Sequence, residues 1–347
     1  MNRRQTKYRE GFPPEFFLVF TVLLLLTMSL CVCIGSVNIS LSETFSIIRK
    51  AVLGAEKAQS TRSAIILLVR IPRVFCVALT GAALSLCGAS MQGLLKNPLA
   101  DGSTLGVSSG ASLGACLAIV LGGTVKGFGA LGTMTLSILF AFGSLVFILT
   151  ISYRLDHSLS TNTIILMGVI FSMFTNSIVT LLVTFASDRL KNFTFWTMGS
   201  LADSNYRNAL WLLTALAAAG GVLLFHAREL NAFAIGEENA RHVGVNVRRV
   251  RLTVLISVSV LIGICVSVGG TISFVGLVTP HILRMLVGPN HRRLLPASLF
   301  GGAIFLLLAD LTARTLLRPL ELPIGAVTSF TGARLFVYIF YRQRTLS

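Results

Sequence analysis

Charge is scarce in this chain. Of its 347 residues 12% are charged, against about 25% in soluble domains, and acids are the scarcer sign, with 13 Asp and Glu facing 29 Lys and Arg. A net charge of +16 would suggest nucleic acid in a soluble protein, but no soluble segment is present to carry a basic groove. There is no Gly-x-x-x-x-Gly-Lys-Ser/Thr loop, so the chain does not hydrolyse ATP by itself, and no His-Glu-x-x-His or paired aspartates, which removes an intramembrane enzyme. The six cysteines all sit in apolar runs without metal-ligand spacing and read as packing residues, so no metal or other cofactor is expected. Neither a linker nor a second domain interrupts residues 1–347.

What is there is apolar: 54% of the residues are hydrophobic, in about ten runs of the roughly 20 residues a bilayer requires. The expected spans are 16–36, 64–92, 103–123, 129–153, 160–184, 207–226, 251–269, 272–287, 296–317 and 322–341, a helical bundle over 16–341. An even count behind Arg3, Arg4, Lys7 and Arg9 predicts cytoplasmic termini. The inner loops then hold Lys96, Arg154, the basic cluster from Arg228 to Arg251, Arg292 and Arg293. Arg70, Arg73, Arg314 and Arg318 remain at the outer helix ends with few acids, Glu43, Glu56, Asp188, Asp203 and Glu321. An outer face this basic suggests an acidic partner or an anionic solute.

Three stretches carry the most information. Arg70-Ile71-Pro72-Arg73 reads as the opening of a span at a membrane surface, and Asn97-Pro98 as a turn at the other; Gly106, Gly110 and Gly114 then share one helical face, a spacing that lets helices approach closely. The longest inner connection, 227–250, is amphipathic: Leu230, Phe233, Ile235 and Val243 form an apolar face, Glu237, Glu238 and Arg241 stay wet, and Gly236 and Gly244 punctuate two short helices suited to docking in a groove of a cytoplasmic protein. The third runs from Gly269 through Thr279-Pro280-His281 to Arg284, followed by Asn290-His291-Arg292-Arg293, Ala309-Asp310, Arg314 and Leu322-Pro323-Ile324-Gly325. His281 and Arg284 read as groups that satisfy backbone freed by Pro280.

In these blocks, together with GAALSLCGASMQGLLKNPLADGSTLGVSSGA at 81–111 and WTMGSL at 196–201, the chain resembles the FecCD-type, BtuC-like permeases of ABC importers for iron-siderophores, haem or cobalamin, over nearly its whole length. The resemblance implies an all-α integral membrane protein of about ten helices with the type II importer fold. It implies as partners a second permease subunit, two cytoplasmic ATP-binding subunits and an external solute-binding protein, in a bacterial inner membrane. The implied solute is a ferric siderophore, with haem or cobalamin as the alternative; an ion-coupled secondary transporter is disfavoured because Asp310 stands nearly alone, close to a helix end.

By motif, Arg70, Arg73 and Arg314 correspond to arginines that face carboxylates of the binding protein in similar permeases, although Asp310 and Arg314, at i and i+4, can also pair with each other. Gly236, Glu237, Ala240, Arg241 and Gly244 fall in the loop that seats in the ATPase. Leu159, Ser160, Thr161 and Asn162 match where the path narrows to a cytoplasmic gate, with Ser160 or Thr161 also suited to cap a helix. Arg334 stands where the family usually has proline, either lining the path toward an anionic solute or snorkelling to the cytoplasmic face.

Overall fold

The structure is a computed structural model that describes residues 14–345 except 36, 38, 54–59, 122–127, 158–159 and 186–189. Arg3, Arg4, Lys7, Arg9, Glu56, Leu159 and Asp188 thus lie outside the described residues. In chain order the helices are α1 (Pro14–Cys33), α2 (Leu41–Val52), α3 (Thr61–Ala64), α4 (Ile71–Leu95), α5 (Val107–Leu121), α6 (Phe128–Leu155), α7 (Thr161–Phe185), α8 (Leu190–Thr197), α9 (Tyr206–Ala215), α10 (Gly221–Phe225), α11 (Ala227–Ile235), α12 (Glu237–His242), α13 (Val247–Gly269), α14 (Val275–Val287), α15 (His291–Thr315) and α16 (Ile324–Thr345).

Seven stretches are long and apolar enough to cross a bilayer: Pro14–Cys33, Thr61–Leu95, Gly132–Leu155, Thr161–Phe185, Tyr206–Phe225, Val247–Gly269 and His291–Thr315. The shorter apolar helices α5 and α14, with α16, complete the expected bundle of about ten.

The Arg70-Ile71-Pro72-Arg73 segment does not open its helix. Ser60 starts the rod ten residues upstream of Arg70, its Oγ accepting from Ser63 N at 3.1 Å while Ser63 Oγ accepts from Ser60 N at 3.1 Å. The chain then passes through a π-turn, Ile65–Arg70, into α4. Proline has no N–H and its ring crowds the carbonyl four residues back; the wider turn just before Pro72 gives that ring room without ending the helix.

The three-glycine face is also redrawn. Gly106 precedes α5 with φ +74°, a backbone that favours glycine, while Gly110 and Gly114 lie in α5 against Ser144 and Leu136 of α6. Gly106 is a turn residue, and two glycines make the packing stripe. In α4, Gly81 meets the backbone of Gly302 in α15, and Gly88 meets that of Gly276 in α14, so a side chain at any of these positions would separate the central helices.

α14 begins deep in the molecule, opposite Gly88 of α4, after a non-helical run from Gly270 and a left-handed Phe274 with φ +69°. Three distant loops meet beside it. Ser200 N donates to Gly269 O at 2.8 Å, Ile324 N to Gly199 O at 3.1 Å, and Thr271 Oγ1 to Thr197 O. These bonds explain why the 196–201, 269–273 and 322–325 motifs occur together: each supplies backbone partners for the next.

Candidate functional site

The two ends of the bundle and one outward face carry the polar chemistry. At one end Asp310 of α15 is fully buried, and its Oδ1 accepts from Arg73 Nε at 3.0 Å and Nη2 at 2.9 Å. Its Oδ2 lies 2.9 Å from Arg314 Nε as an ion pair, off the line of an ideal hydrogen bond. Arg73 Nη1 also reaches Glu321 Oε2 at 2.8 Å, and Arg314 Nη2 donates to Cys31 O at 3.2 Å. Arg70 Nη1 donates to the carbonyls of Val32 and Cys33, both at 3.1 Å, and Nη2 to that of Val37.

Arg70, Arg73 and Arg314 are therefore only 4, 6 and 3% exposed, and each finds its partners inside the subunit. As placed, they are not open docking cations; they tie α1, α4 and α15 together and, through Glu321, hold the segment between α15 and α16. Asp310–Arg314 pairing was legible from i, i+4 spacing, whereas Glu321 as the second partner of Arg73 had no local signal. The surface of this end is instead the segment 316–321, with Leu316, Leu317, Arg318 and Leu320 exposed. A cleft of about 370 Å³ lies beside it, lined by Trp196, Ser200, Asp203, Gly270, Glu321 and Pro323 among others.

At the opposite end α11 and α12 form a hairpin. Leu230 and Phe233 are fully buried and Ala240 with them, but Ile235 and Val243, expected on the same apolar face, are 75 and 72% exposed. Gly236 (φ +149°) turns the chain between the two helices and Gly244 (φ +83°) turns it out of the second, which carries Ile235 and Val243 off the buried face. Glu237 is not simply wet: it pairs with Arg251 of α13, a guanidinium residue 1% exposed. Glu238 and Arg241 are exposed. What remains on the hairpin surface is apolar tips beside charge, the composition of a contact patch.

Pro280 leaves the Gly276 carbonyl, four residues back, without its helical donor. Gln92 of α4 supplies one, its Nε2 lying 3.3 Å from both Gly276 O and Leu277 O, and Arg284 Nη2 fixes the other end of that amide at 2.8 Å from Oε1. Gln92, oriented by Arg284, is thus a residue that answers the proline; periodicity within α14 could not point to a partner on another helix. No cluster of metal-ligating side chains occurs among the described residues.

Of the expected gate residues, Ser160 caps α7: its Oγ accepts from Thr163 N at 3.4 Å and lies 2.9 Å from Thr163 Oγ1, while its own N donates to Asp156 Oδ2 at 3.0 Å. Thr161 is half-buried and Asn162 exposed. The outward face of α7 continues from Asn162 through Met173 to Asn176, Ser177, Thr180 and Thr184, all exposed. The hydroxyls of Ser177, Thr180 and Thr184 donate to carbonyls one turn back at 3.0, 2.8 and 2.8 Å. The Asn176 amide makes no side-chain hydrogen bond among the described residues, so hydrocarbon is an unsuitable neighbour for it. The same helix α7 also exposes Leu166, Val169, Ile170, Phe174 and Leu181, so its outward surface is mixed, whereas on α6 Leu139, Phe142, Val146 and Phe147 form an exposed apolar face.

Arg334 is exposed about 15 Å along α16, and its guanidinium lies over the Phe330 ring, 4.1 Å from the centroid. Phe330 is one turn nearer the start of the helix. The side chain therefore points back along the bundle, as helical geometry favours, and does not snorkel toward the end of α16.

The model of the FecCD transport family matches residues 22–342. An uncharacterised ABC transporter permease, YvrB of Bacillus subtilis, is 44% identical over 79% of this chain and 78% of its own length. The hemin transport system permease HmuU of Yersinia pestis is 38% identical over 80% of this chain and 83% of its own, and the vitamin B12 import permease BtuC of Citrobacter koseri 34% identical over 93% of each. A solved structure described as an inward-facing ABC transporter of the metal-chelate type superposes with a TM-score of 0.83 at 32% identity, covering 95% of this chain and all of that one.

Proposed function

The chain belongs to the FecCD transport family and is the membrane permease subunit of an ABC importer, and we propose that the solute it passes is an anionic metal chelate, a ferric siderophore. One observation carries the choice of solute: a cation, Arg334, stands exposed about halfway along a membrane helix. A carboxylate- or catecholate-bearing chelate would meet it as counter-charge. The solved relative, described as a transporter of the metal-chelate type, supports the same class. Haem is the second reading, favoured by the 38% identity to a hemin permease and by the negative charge of haem's own carboxylates.

In this reading two copies, or this chain and a homologue, enclose the path between the polar face of α7 and the Arg334 face of α16, with Ser160, Thr161 and Asn162 at its inner mouth. The hairpin end is cytoplasmic and both chain termini lie on that side. Ile235, Gly236, Glu237, Arg241, Val243 and Gly244 form the contact region for the ATP-binding subunit, which powers transport; Ala240, expected among them, is fully buried and supports that surface from beneath. The Arg73 end faces outward. There the exposed 316–321 segment receives the binding protein, and Arg70, Arg73 and Arg314 stiffen the surface beneath it. Loose contacts along the path suit passage, since conduction needs weak binding.

The test is uptake of iron-labelled siderophores and of haem by cells lacking this subunit. Loss of siderophore uptake, restored by the gene, is the expected result. Unchanged uptake of every siderophore with loss of haem uptake moves the assignment to haem, and unchanged uptake of both refutes it.

A further inference from the structure

A single side chain on the hairpin, Asn231 of α11, gathers the start of α15. Its Oδ1 accepts from His291 N at 2.8 Å and faces His291 Nδ1 at 2.9 Å, so that ring nitrogen carries the proton; its Nδ2 donates to Asn290 Oδ1 at 2.9 Å. Asn290 Oδ1 also accepts from Arg292 N at 3.0 Å, capping α15. The His291 ring is 3% exposed, and its far side lies against Gly93 of α4, where a Cβ would overlap Nε2. Three helices therefore converge on one imidazole.

Elsewhere the hairpin is held differently: Leu230 and Phe233 anchor it by apolar burial, which is non-directional and tolerates sliding, and the Glu237 ion pair with Arg251 holds α12 to α13 rather than to α15. Hydrogen bonds to Asn231 are directional and fix register. From His291, α15 runs about 35 Å to Arg314, passing Gly302 packed on Gly81 and Asp310 bound to Arg73.

We infer that Asn231, with His291, is the positioning residue that couples the hairpin to α15, so that a displacement imposed on the hairpin is delivered to a helix reaching the opposite end of the molecule. This rests on the reading that the hairpin receives the ATP-binding subunit. Without the clamp the hairpin still docks and still moves, but it slides on its apolar anchor, and the two arrangements of the bundle are no longer biased by nucleotide.

The test uses the whole transporter, with its ATP-binding subunits and binding protein, in proteoliposomes, and reads solute moved per ATP hydrolysed. Intact complexes are isolated first, so that permease which has lost its ATP-binding subunits contributes to neither quantity. Asn231→Leu and His291→Leu should retain the ATP-binding subunits and lower the ratio about tenfold, as expected for losing buried hydrogen bonds. His291→Asn, whose side-chain amide can donate in place of Nδ1–H, should recover most of it. A ratio equal to that of the parent in both leucine variants overturns the inference, as does loss of the ATP-binding subunits from Asn231→Leu, which would make the residue an ordinary structural support. A separate variant, Ile235→Asp with Val243→Asp, tests the underlying reading: if it keeps its ATP-binding subunits, the hairpin is not the docking element and the clamp transmits nothing from nucleotide.

Discussion

Asp310 is shared by two arginines, and its removal leaves both guanidinium groups where water does not reach. Breaking a buried ionic cluster by deleting one member costs about 3–5 kcal/mol, so Asp310→Ala should lower the melting temperature of the purified chain in detergent far more than Glu321→Gln. Glu321 is about one-third exposed, and a water-screened pair is worth less than about 1 kcal/mol. Equal melting of the two variants would show that the cluster is solvated. Gln92 offers a second test. Gln92→Leu leaves the Gly276 carbonyl unpaired and should cost about 1–3 kcal/mol, while Pro280→Ala in the same chain restores the helical N–H and should return most of that loss. Denaturant titration of the single and double variants measures the recovery.

Among the elements, the hairpin α11–α12 and the helices α7 and α16 leave surface that the chain itself does not cover. Ile235 and Val243 are already open to solvent, so Ile235→Asp with Val243→Asp should leave the melting temperature of the isolated subunit within a few degrees. The same pair of changes should abolish co-purification with the ATP-binding subunit, because unpaired carboxylates would face the apolar part of that contact. Retained co-purification would remove the hairpin from the interface. The element boundaries themselves were largely legible: apolar runs predicted 160–184 and 272–287, and the helices are Thr161–Phe185 and Val275–Val287. The rod Thr61–Leu95 also lies within three residues of the expected 64–92; what escaped was the place of Arg70-Ile71-Pro72-Arg73 inside it, because a proline normally marks a start and only a π-turn, which has no sequence periodicity of its own, carries the helix through it.

For the whole molecule the proposed path makes two predictions in membranes. A cysteine at Ser177 or Thr180, in a background without the native cysteines, should react with a charged, membrane-impermeant thiol reagent, whereas one at Leu139 on the outer face of α6 should not. Equal protection of all three would mean that the α7 face meets lipid or protein. Arg334→Glu should slow uptake of anionic chelates by about tenfold or more through charge reversal, and leave uptake of a neutral chelate nearly unchanged. Equal effects on both solutes would assign Arg334 to subunit packing.

The amino-acid sequence by itself determined the membrane character, the helical bundle, the family and the two positions along the chain where polar chemistry concentrates, because hydropathy, glycine spacing and contiguous motifs are local properties. Only the tertiary structure decided what those polar groups do. Arg70, Arg73 and Arg314 became internal braces, Gln92 became the partner of a carbonyl on another helix, Glu237 met Arg251, and Asn231 met His291 across 60 positions. Each outcome turns on which buried donor lies within about 3 Å of which acceptor. That distance is fixed by how helices cross, through contacts such as Gly81 on Gly302 and Gly88 on Gly276, and no run of neighbouring residues encodes it.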